Sequence, residues 1–306
     1  MIRLFERSDR VSAAVNPPAK VLGVDNAVLT GTSRRYFVPD FEGPLSIKTV
    51  VAGSAVWEAD GRQFTVLENS YLVLNDRQRY TITIDATRSV TTFCVFFERG
   101  FVEDVWRATV SSTALLLDAP QPARAEPIHF FERLETHPSP VLERLRALQR
   151  RILEAGTSGA AFEDEFVRVA EGLVRAERRS RSAIDRLPAA RAGTREELYR
   201  RVLRGRDYLL SCADRTVRLR DAARAACLSP YHFHRVFTSA FGQTPHQHLT
   251  RYRLERAAHL LASTSRSVTE ICLESGFDSL GSFSSLFRRR FHVSPSRFRV
   301  ASSARV

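Results

Sequence analysis

The chain has 306 residues, 43% hydrophobic and 9% aromatic, the make-up of an ordinary globular protein with room for two cores. Its net charge of +12 is concentrated at one end: residues 181–306 carry 23 arginines, no lysine and 10 acids, and residues 1–180 come to −1. No run reaches the ~18 apolar residues of a membrane span. The first seven residues lack a signal-peptide core and no CxxC pair suggests zinc. The expected setting is therefore the cytoplasm, with reduced thiols and no membrane contact.

In chain order, residues 1–40 are expected to hold irregular structure and an edge strand. Six β-rich runs follow, at Leu45–Val51, Ser54–Glu58, Phe64–Leu67, Tyr71–Leu74, Tyr80–Ile84 and Val90–Phe97. Turn signals at Gly53, Asp60-Gly61, Asn69-Ser70 and Asn75-Asp76 break them. Asp60-Gly61 suits a two-residue hairpin because that turn needs positive φ. Many short strands predict a sandwich or barrel. Trp57, Tyr71, Tyr80 and Phe93, with Arg77 and Arg79 nearby, are candidates to line an effector pocket; ordinary core packing is the competing reading. Cys94 sits in an apolar run and reads as a buried structural cysteine.

Helical spacing begins near residue 139. Val141, Leu142, Leu145, Leu148 and Ile152 form one stripe, stopped by Gly156, and Phe162, Phe166, Val169 and Leu173 form a second. These stripes either pack on the β-rich domain or pair with another subunit. Residues 181–193 read as a linker, with Pro188 and Gly193 as breakers. Beyond it everything is helical and the caps are legible. Thr194 to Glu197 and Ser267 to Glu270 are capping boxes. Ser229-Pro230 and Thr244-Pro245 place a capping side chain before a first-turn proline. Gly242 and Gly276 stand where helices stop.

The C-terminal region repeats at an offset of 50 residues: Ser229 matches Ser279, Phe233, Phe237 and Phe241 match Phe283, Phe287 and Phe291, and Pro245 matches Pro295. Phenylalanines four apart line one helix face, and burying that face turns the other outward. Each copy follows a short helix and tight turn, Cys227-Leu228-Ser229 in the first and Ser275-Gly276-Phe277 in the second. A short helix, a turn and a second helix make a helix-turn-helix unit, whose second helix enters the major groove. A single helix from Pro245 to about Ala262 joins the copies. At ~1.5 Å per residue it spans roughly 27 Å, a rod able to hold two recognition helices about one duplex turn, ~34 Å, apart. The competing reading, a helical bundle with no DNA role, leaves both the repeat and the local charge unexplained.

Leu228 to Phe237, Phe241 to Pro245, Arg253 to Leu261, Gly276 to Phe287 and Ser294 to Arg299 resemble the AraC/XylS family of bacterial transcription regulators. The resemblance covers residues 195–300. It implies an α+β protein: an N-terminal cupin-like β-barrel with a helical extension, then a C-terminal all-α domain of seven helices with two helix-turn-helix units. The expected domains are a sensor barrel at 1–135, a helical and possibly dimerising extension at 136–180, the linker at 181–193, and the DNA-binding domain at 194–300. The implied function is sequence-specific control, usually activation, of transcription. Implied partners are double-stranded DNA, RNA polymerase, a small effector in the barrel and a second copy of the chain.

Carried over by position, the base-contact candidates are Tyr231, His232, His234 and Arg235 in the first copy, and Leu280, Gly281, Ser282 and Ser285 in the second. Arg235 suits bidentate contact with guanine. Ser285 stands where the family usually has arginine, so direct readout by the second copy is expected to be weaker. His292 stands where the family favours glycine. Arg288, Arg289 and Arg290 are expected to meet phosphates, which position without specifying. A cupin-type enzyme is the alternative, but residues 1–128 contain no histidine for a barrel metal site. The pairs His232/His234 and His246/His248 lie on helices, where i and i+2 diverge. No metal, cofactor or catalytic activity is expected.

Overall fold

The computed structural model describes residues 14–110, 128–131, 134–136, 139–155, 159–189 and 191–303. The chain divides into two compact units, Met1–Arg179 and Ser180–Val306. In the first, eight strands form one sheet that curls into a nearly closed barrel: β1 (Ala14–Val15), β2 (Ala27–Glu42), β3 (Ser46–Ala52), β4 (Ser54–Ala59), β5 (Arg62–Leu67), β6 (Ser70–Leu74), β7 (Arg79–Phe96) and β8 (Leu134–Thr136). The order is β1-β2-β7-β3-β6-β8, with β4 bridging β7 and β5. Asp60 and Gly61 close the β4–β5 hairpin with φ of 48° and 69°, the left-handed conformation that turn demands.

β7 corrects the expected boundaries. The runs Tyr80–Ile84 and Val90–Phe97 are parts of one 18-residue strand, because the polar stretch between them pairs with β2, with Arg35 opposite Asp85. The strand expected within residues 1–40 is the 16-residue β2, which runs on to Glu42 and lies next to the short edge strand β1.

Strand alternation sorts the apolar side chains into two layers. Trp57, Phe64, Val66, Leu72, Leu74, Tyr80, Ile82 and Phe96 fill the barrel interior. Ile47, Tyr71, Val73, Phe93, Val95 and Phe97 point outward, under helices α1 (Phe101–Val110), α2 (Pro140–Ala155) and α3 (Gly159–Asp185). Both expected helical stripes are used there: Leu142, Leu145, Leu148, Phe166, Val169 and Leu173 are buried in this outer layer. At ~1.5–3 kcal/mol per buried large side chain, this packing fixes the helices to the barrel and takes up the stripes within the chain. Gly156, the expected stop, lies outside the described residues.

Seven helices build the second unit: α4 (Ala192–Ser211), α5 (Leu219–Ala225), α6 (Pro230–Phe241), α7 (Pro245–Ser263), α8 (Val268–Glu274), α9 (Leu280–Phe291) and α10 (Pro295–Ser303). Two expectations at its entry are corrected. α3 continues to Asp185 and buries Ala183, Ile184 and Leu187, so the stretch read as linker begins inside a packed helix end. The arginines and alanines of this stretch favour helix as far as Asp185, ahead of the breaker Pro188. α4 begins at Ala192, one turn before the expected box, with Arg191 at the N-cap and no side-chain cap bond. Thr194 is therefore inside the helix, where its hydroxyl has no cap to make. The other three caps form. Ser229 accepts from the His232 amide at 3.3 Å, and both Thr244–Gln247 and Ser267–Glu270 are reciprocal capping boxes.

Candidate nucleic-acid interface

Two helix-turn-helix units, α5-turn-α6 and α8-turn-α9, are built to one plan. In α6, Phe233 and Phe237 lie 5.4 Å apart between ring centroids, and Phe237 and Phe241 4.5 Å. In α9 the matching distances are 5.5 Å and 4.5 Å. Phe233, Phe237, Phe283 and Phe287 are fully buried. Each helix therefore has one anchored face, which leaves its opposite face to solvent. Ser229 and Ser279 cap the two helices in the same way, and Gly242 and His292 end them with φ of 67° and 63°.

The first unit places the sequence candidates where a ligand can reach them. Tyr231 is 78% exposed, His234 and Arg235 are exposed, and His232 is half-buried at the same end of α6. In the second unit Leu280 is 43% exposed and Gly281, Ser282 and Ser285 are exposed. The two faces differ in chemistry. α6 offers imidazoles, a phenol and a guanidinium, whereas α9 offers hydroxyls, a glycine and one leucine.

The arginine triplet does not act as a unit. Arg288 and Arg289 are exposed and form no ion pair among the described residues, while Arg290 donates to the buried Glu255 carboxylate at 3.2 Å and lies 5.4 Å from the Phe291 ring centroid. This bond ties α9 to α7 and sets Arg290, itself exposed, apart from its two neighbours. The pairs with HxH spacing are also split: His246 is exposed and His248 buried. Burial, helped by Arg206 and Arg251, pushes His248 down to about 3, so it stays neutral beside the Phe237 and Phe241 rings.

Two positions in this unit carry positive φ without glycine. Cys227 (φ 53°) makes the first turn where Gly276 (φ 82°) makes the second, and His292 stands where the first copy has Gly242. A side chain in this conformation costs about 1 kcal/mol. Cys227→Gly and His292→Gly are each expected to raise stability by roughly 0.5–1 kcal/mol, read as the midpoint of urea unfolding followed by helical ellipticity; a lowered midpoint would contradict the strain.

The four pocket candidates are not brought together. Trp57 and Tyr80 face the barrel interior, whereas Tyr71 and Phe93 face the outer helical layer. Tyr71 lines a cavity of about 10 Å³ with Val73, Phe130, Glu135, Leu173 and Glu177. That is room for one water, far below the ~300 Å³ of an organic-ligand site. The interior also holds a buried lysine that is not among the sequence candidates. Lys48, 1% exposed, donates to the Tyr80 hydroxyl at 2.7 Å, with its ammonium 3.9 Å from the Phe96 ring centroid. Desolvation pulls it down to about 7. Its signal was a lysine inside the apolar run Ser46 to Val51, in a chain with only Lys20 and Lys48 among 46 basic residues.

A family model described as a helix-turn-helix domain matches residues 222–301. Over 71 residues the chain is 44% identical to the HTH-type transcriptional activator RhaS of Enterobacter sp. (strain 638), covering 23% of this chain and 26% of that protein. Over 92 residues it is 32% identical to the probable transcriptional regulator LumQ of Photobacterium leiognathi, covering 30% and 37%. These matches span well under half the length of either relative. The C-terminal domain of AraT, a response regulator from Geobacillus stearothermophilus, is 30% identical over 33% of this chain and 84% of that one, with a TM-score of 0.32.

Proposed function

The C-terminal domain of this chain belongs to the AraC-type helix-turn-helix family, and from that premise we propose that the protein is a sequence-specific regulator of transcription that reads duplex DNA with α6 and α9. The observation that carries this is the pair of identically backed helices, each with its phenylalanine face buried and its other face open. α6 takes the larger share of base reading, through Arg235 with Tyr231, His232 and His234. α9 contributes shallower contacts through Leu280, Gly281, Ser282 and Ser285, and Arg288 and Arg289 hold phosphates. The excess of arginine in residues 181–306 supplies the general attraction to a polyanion.

Further parts of the proposal concern the rest of the chain. The barrel serves as the regulatory module and takes a small effector; the buried amine of Lys48 beside the Tyr80 hydroxyl in the interior supports this. Exposed Tyr36 and Phe37 on β2 support association with a second copy. Activation through RNA polymerase is proposed by analogy with the activator RhaS. The proposed domain division keeps a barrel module, a helical extension and a DNA-binding module, in a cytoplasmic protein.

Titrations on a selected duplex and a random duplex, at several salt concentrations, test the DNA reading. Arg235→Ala is expected to lose 10- to 100-fold on the selected duplex, the ~1–3 kcal/mol of a bidentate base contact, and little on the random one. Arg289→Ala is expected to weaken both equally and lower the salt slope by about one. Equal losses on both duplexes for Arg235→Ala would overturn its base-reading role.

A further inference from the structure

Three segments of the C-terminal unit converge on one carbonyl oxygen. Arg253, in the middle of α7, donates from Nε to the Ala213 carbonyl at 2.8 Å and from Nη2 to the Arg215 carbonyl at 2.6 Å. Ala213 and Arg215 lie in the turn after α4, the helix on which the first helix-turn-helix unit packs. The same guanidinium lies 6.0 Å from the Phe277 ring centroid, in the turn of the second unit. Beside it is Gly276, where an added Cβ would stand 2.1 Å from the Ala213 oxygen and 2.9 Å from Arg253 Nε. The floor of the first unit, the connecting helix and the turn of the second unit thus meet with no space for one methyl group.

We propose that Arg253 and Gly276 form a clasp that fixes the two recognition helices relative to each other and thereby sets the half-site spacing the protein accepts. This rests on the DNA reading above. Without the clasp, the second unit would be held to the first mainly through α7. That is a 19-residue rod, ~28 Å long, leading into the short Thr264–Ser267 connection. Long helices bend gently, so a rod by itself leaves the far unit free to swing. The clasp closes the path from residue 213 to residue 276 and removes that freedom. Arginine suits the role because its planar fork reaches two carbonyls in fixed geometry, which an ammonium does not. Neither residue is proposed to touch DNA; both act as positioning residues.

The test uses the full chain and duplexes in which the distance between the two half-sites is changed by one or two base pairs, plus a duplex with the second half-site scrambled. Wild type is expected to show one optimum and to lose at least tenfold one base pair away. Arg253→Ala is expected to flatten that profile to within threefold and to leave binding to the scrambled duplex unchanged within twofold. Arg253→Lys, which keeps the charge, should flatten it partly. A second readout needs no DNA. Cys227 is exposed while Cys94, Cys212 and Cys272 are buried, so spin labels on Cys227 and on Ser285→Cys report the distance between the units. Arg253→Ala or Arg253→Lys should broaden that distance distribution. An unchanged spacing optimum with an unchanged distribution would overturn the clasp alone, as would an equal loss on every duplex. Absence of sequence-specific binding by wild type would overturn the DNA reading, and the clasp with it.

Discussion

Replacing Lys48 with methionine is expected to stabilise the barrel by about 2–3 kcal/mol at pH 7, a gain larger than most surface changes give. Methionine has similar length and no charge. Lys48 is fully buried on β3, opposite Cys94 on β7, with the Tyr80 hydroxyl as its hydrogen-bond acceptor and two aromatic faces around it. Its fall from 10.5 to about 7 means that the folded barrel disfavours the charged amine. At pH 7 this difference corresponds to roughly 4 kcal/mol opposing folding. The substitution removes that penalty but leaves the Tyr80 hydroxyl without a partner, which takes back about 1–2 kcal/mol. The double change Lys48→Met with Tyr80→Phe should recover that part.

The sign with pH follows from proton counting. Below about pH 7 both folded and unfolded chains hold the Lys48 proton, so the penalty is complete and constant. Between about 7 and 8.5 the unfolded chain holds it and the folded chain releases it, so wild-type stability rises with pH, by roughly 1.5–2 kcal/mol in all. Above that range Cys94 and then Tyr80 act the other way. Burial raises both, so the unfolded chain ionises first and the gain levels off. Urea titrations followed by tryptophan fluorescence isolate this effect, because Trp57 and Trp106 are the only tryptophans and both lie in the barrel-containing unit, Met1–Arg179. A wild-type midpoint that is flat across pH 7–8.5, or a Lys48→Met barrel that unfolds more readily, would show that the amine is paired or hydrated.

The contrast between Lys48 and the phenylalanine repeat shows where sequence carries structural information. The repeat was legible because its determinants are local. Four-residue spacing defines a helix face, and serine, threonine and glycine mark helix ends within one turn. Lys48 was visible as an oddity, but strand faces alternate every residue and a slip of one reverses them. For the same reason Trp57 and Tyr80 could not be separated from Tyr71 and Phe93 before the pairing of β3, β6 and β7 was known. The length of β7 was hidden because its polar middle is held by β2 rather than by its own apolar pattern. Arg290 looked like Arg288 and Arg289; only the phase of α9 against Glu255 on α7 distinguishes it. Gly205, Gly276 and Arg253 depend on approaches between segments many residues apart, and no local pattern announces them.

Gly205→Ala is expected to destabilise the C-terminal unit by about 2–3 kcal/mol, although alanine is the better helix former by up to ~1 kcal/mol. Gly205 lies in the second half of α4, where a Cβ would fall 2.3 Å from a Phe233 ring carbon and 2.9 Å from the Ala222 carbonyl oxygen. Neither neighbour can give way cheaply. Phe233 is fully buried and packed edge-on against Phe237, and Ala222 O belongs to the backbone of α5. The methyl group must therefore push α4 away from the first helix-turn-helix unit, lifting the helix that backs Arg235. Gly193→Ala in the first turn of the same helix is the control. A Cβ there meets nothing within 4 Å, so propensity acts alone and stability should rise by about 0.5 kcal/mol. Helical ellipticity in urea reads both changes, and the tryptophan-monitored barrel transition should not move. Selected-duplex affinity should fall with Gly205→Ala and hold with Gly193→Ala. If both substitutions stabilised the unit, α4 could not be packed this closely on Phe233, and the rigid aromatic backing of the first recognition helix would be lost as an explanation of how it presents its outer face.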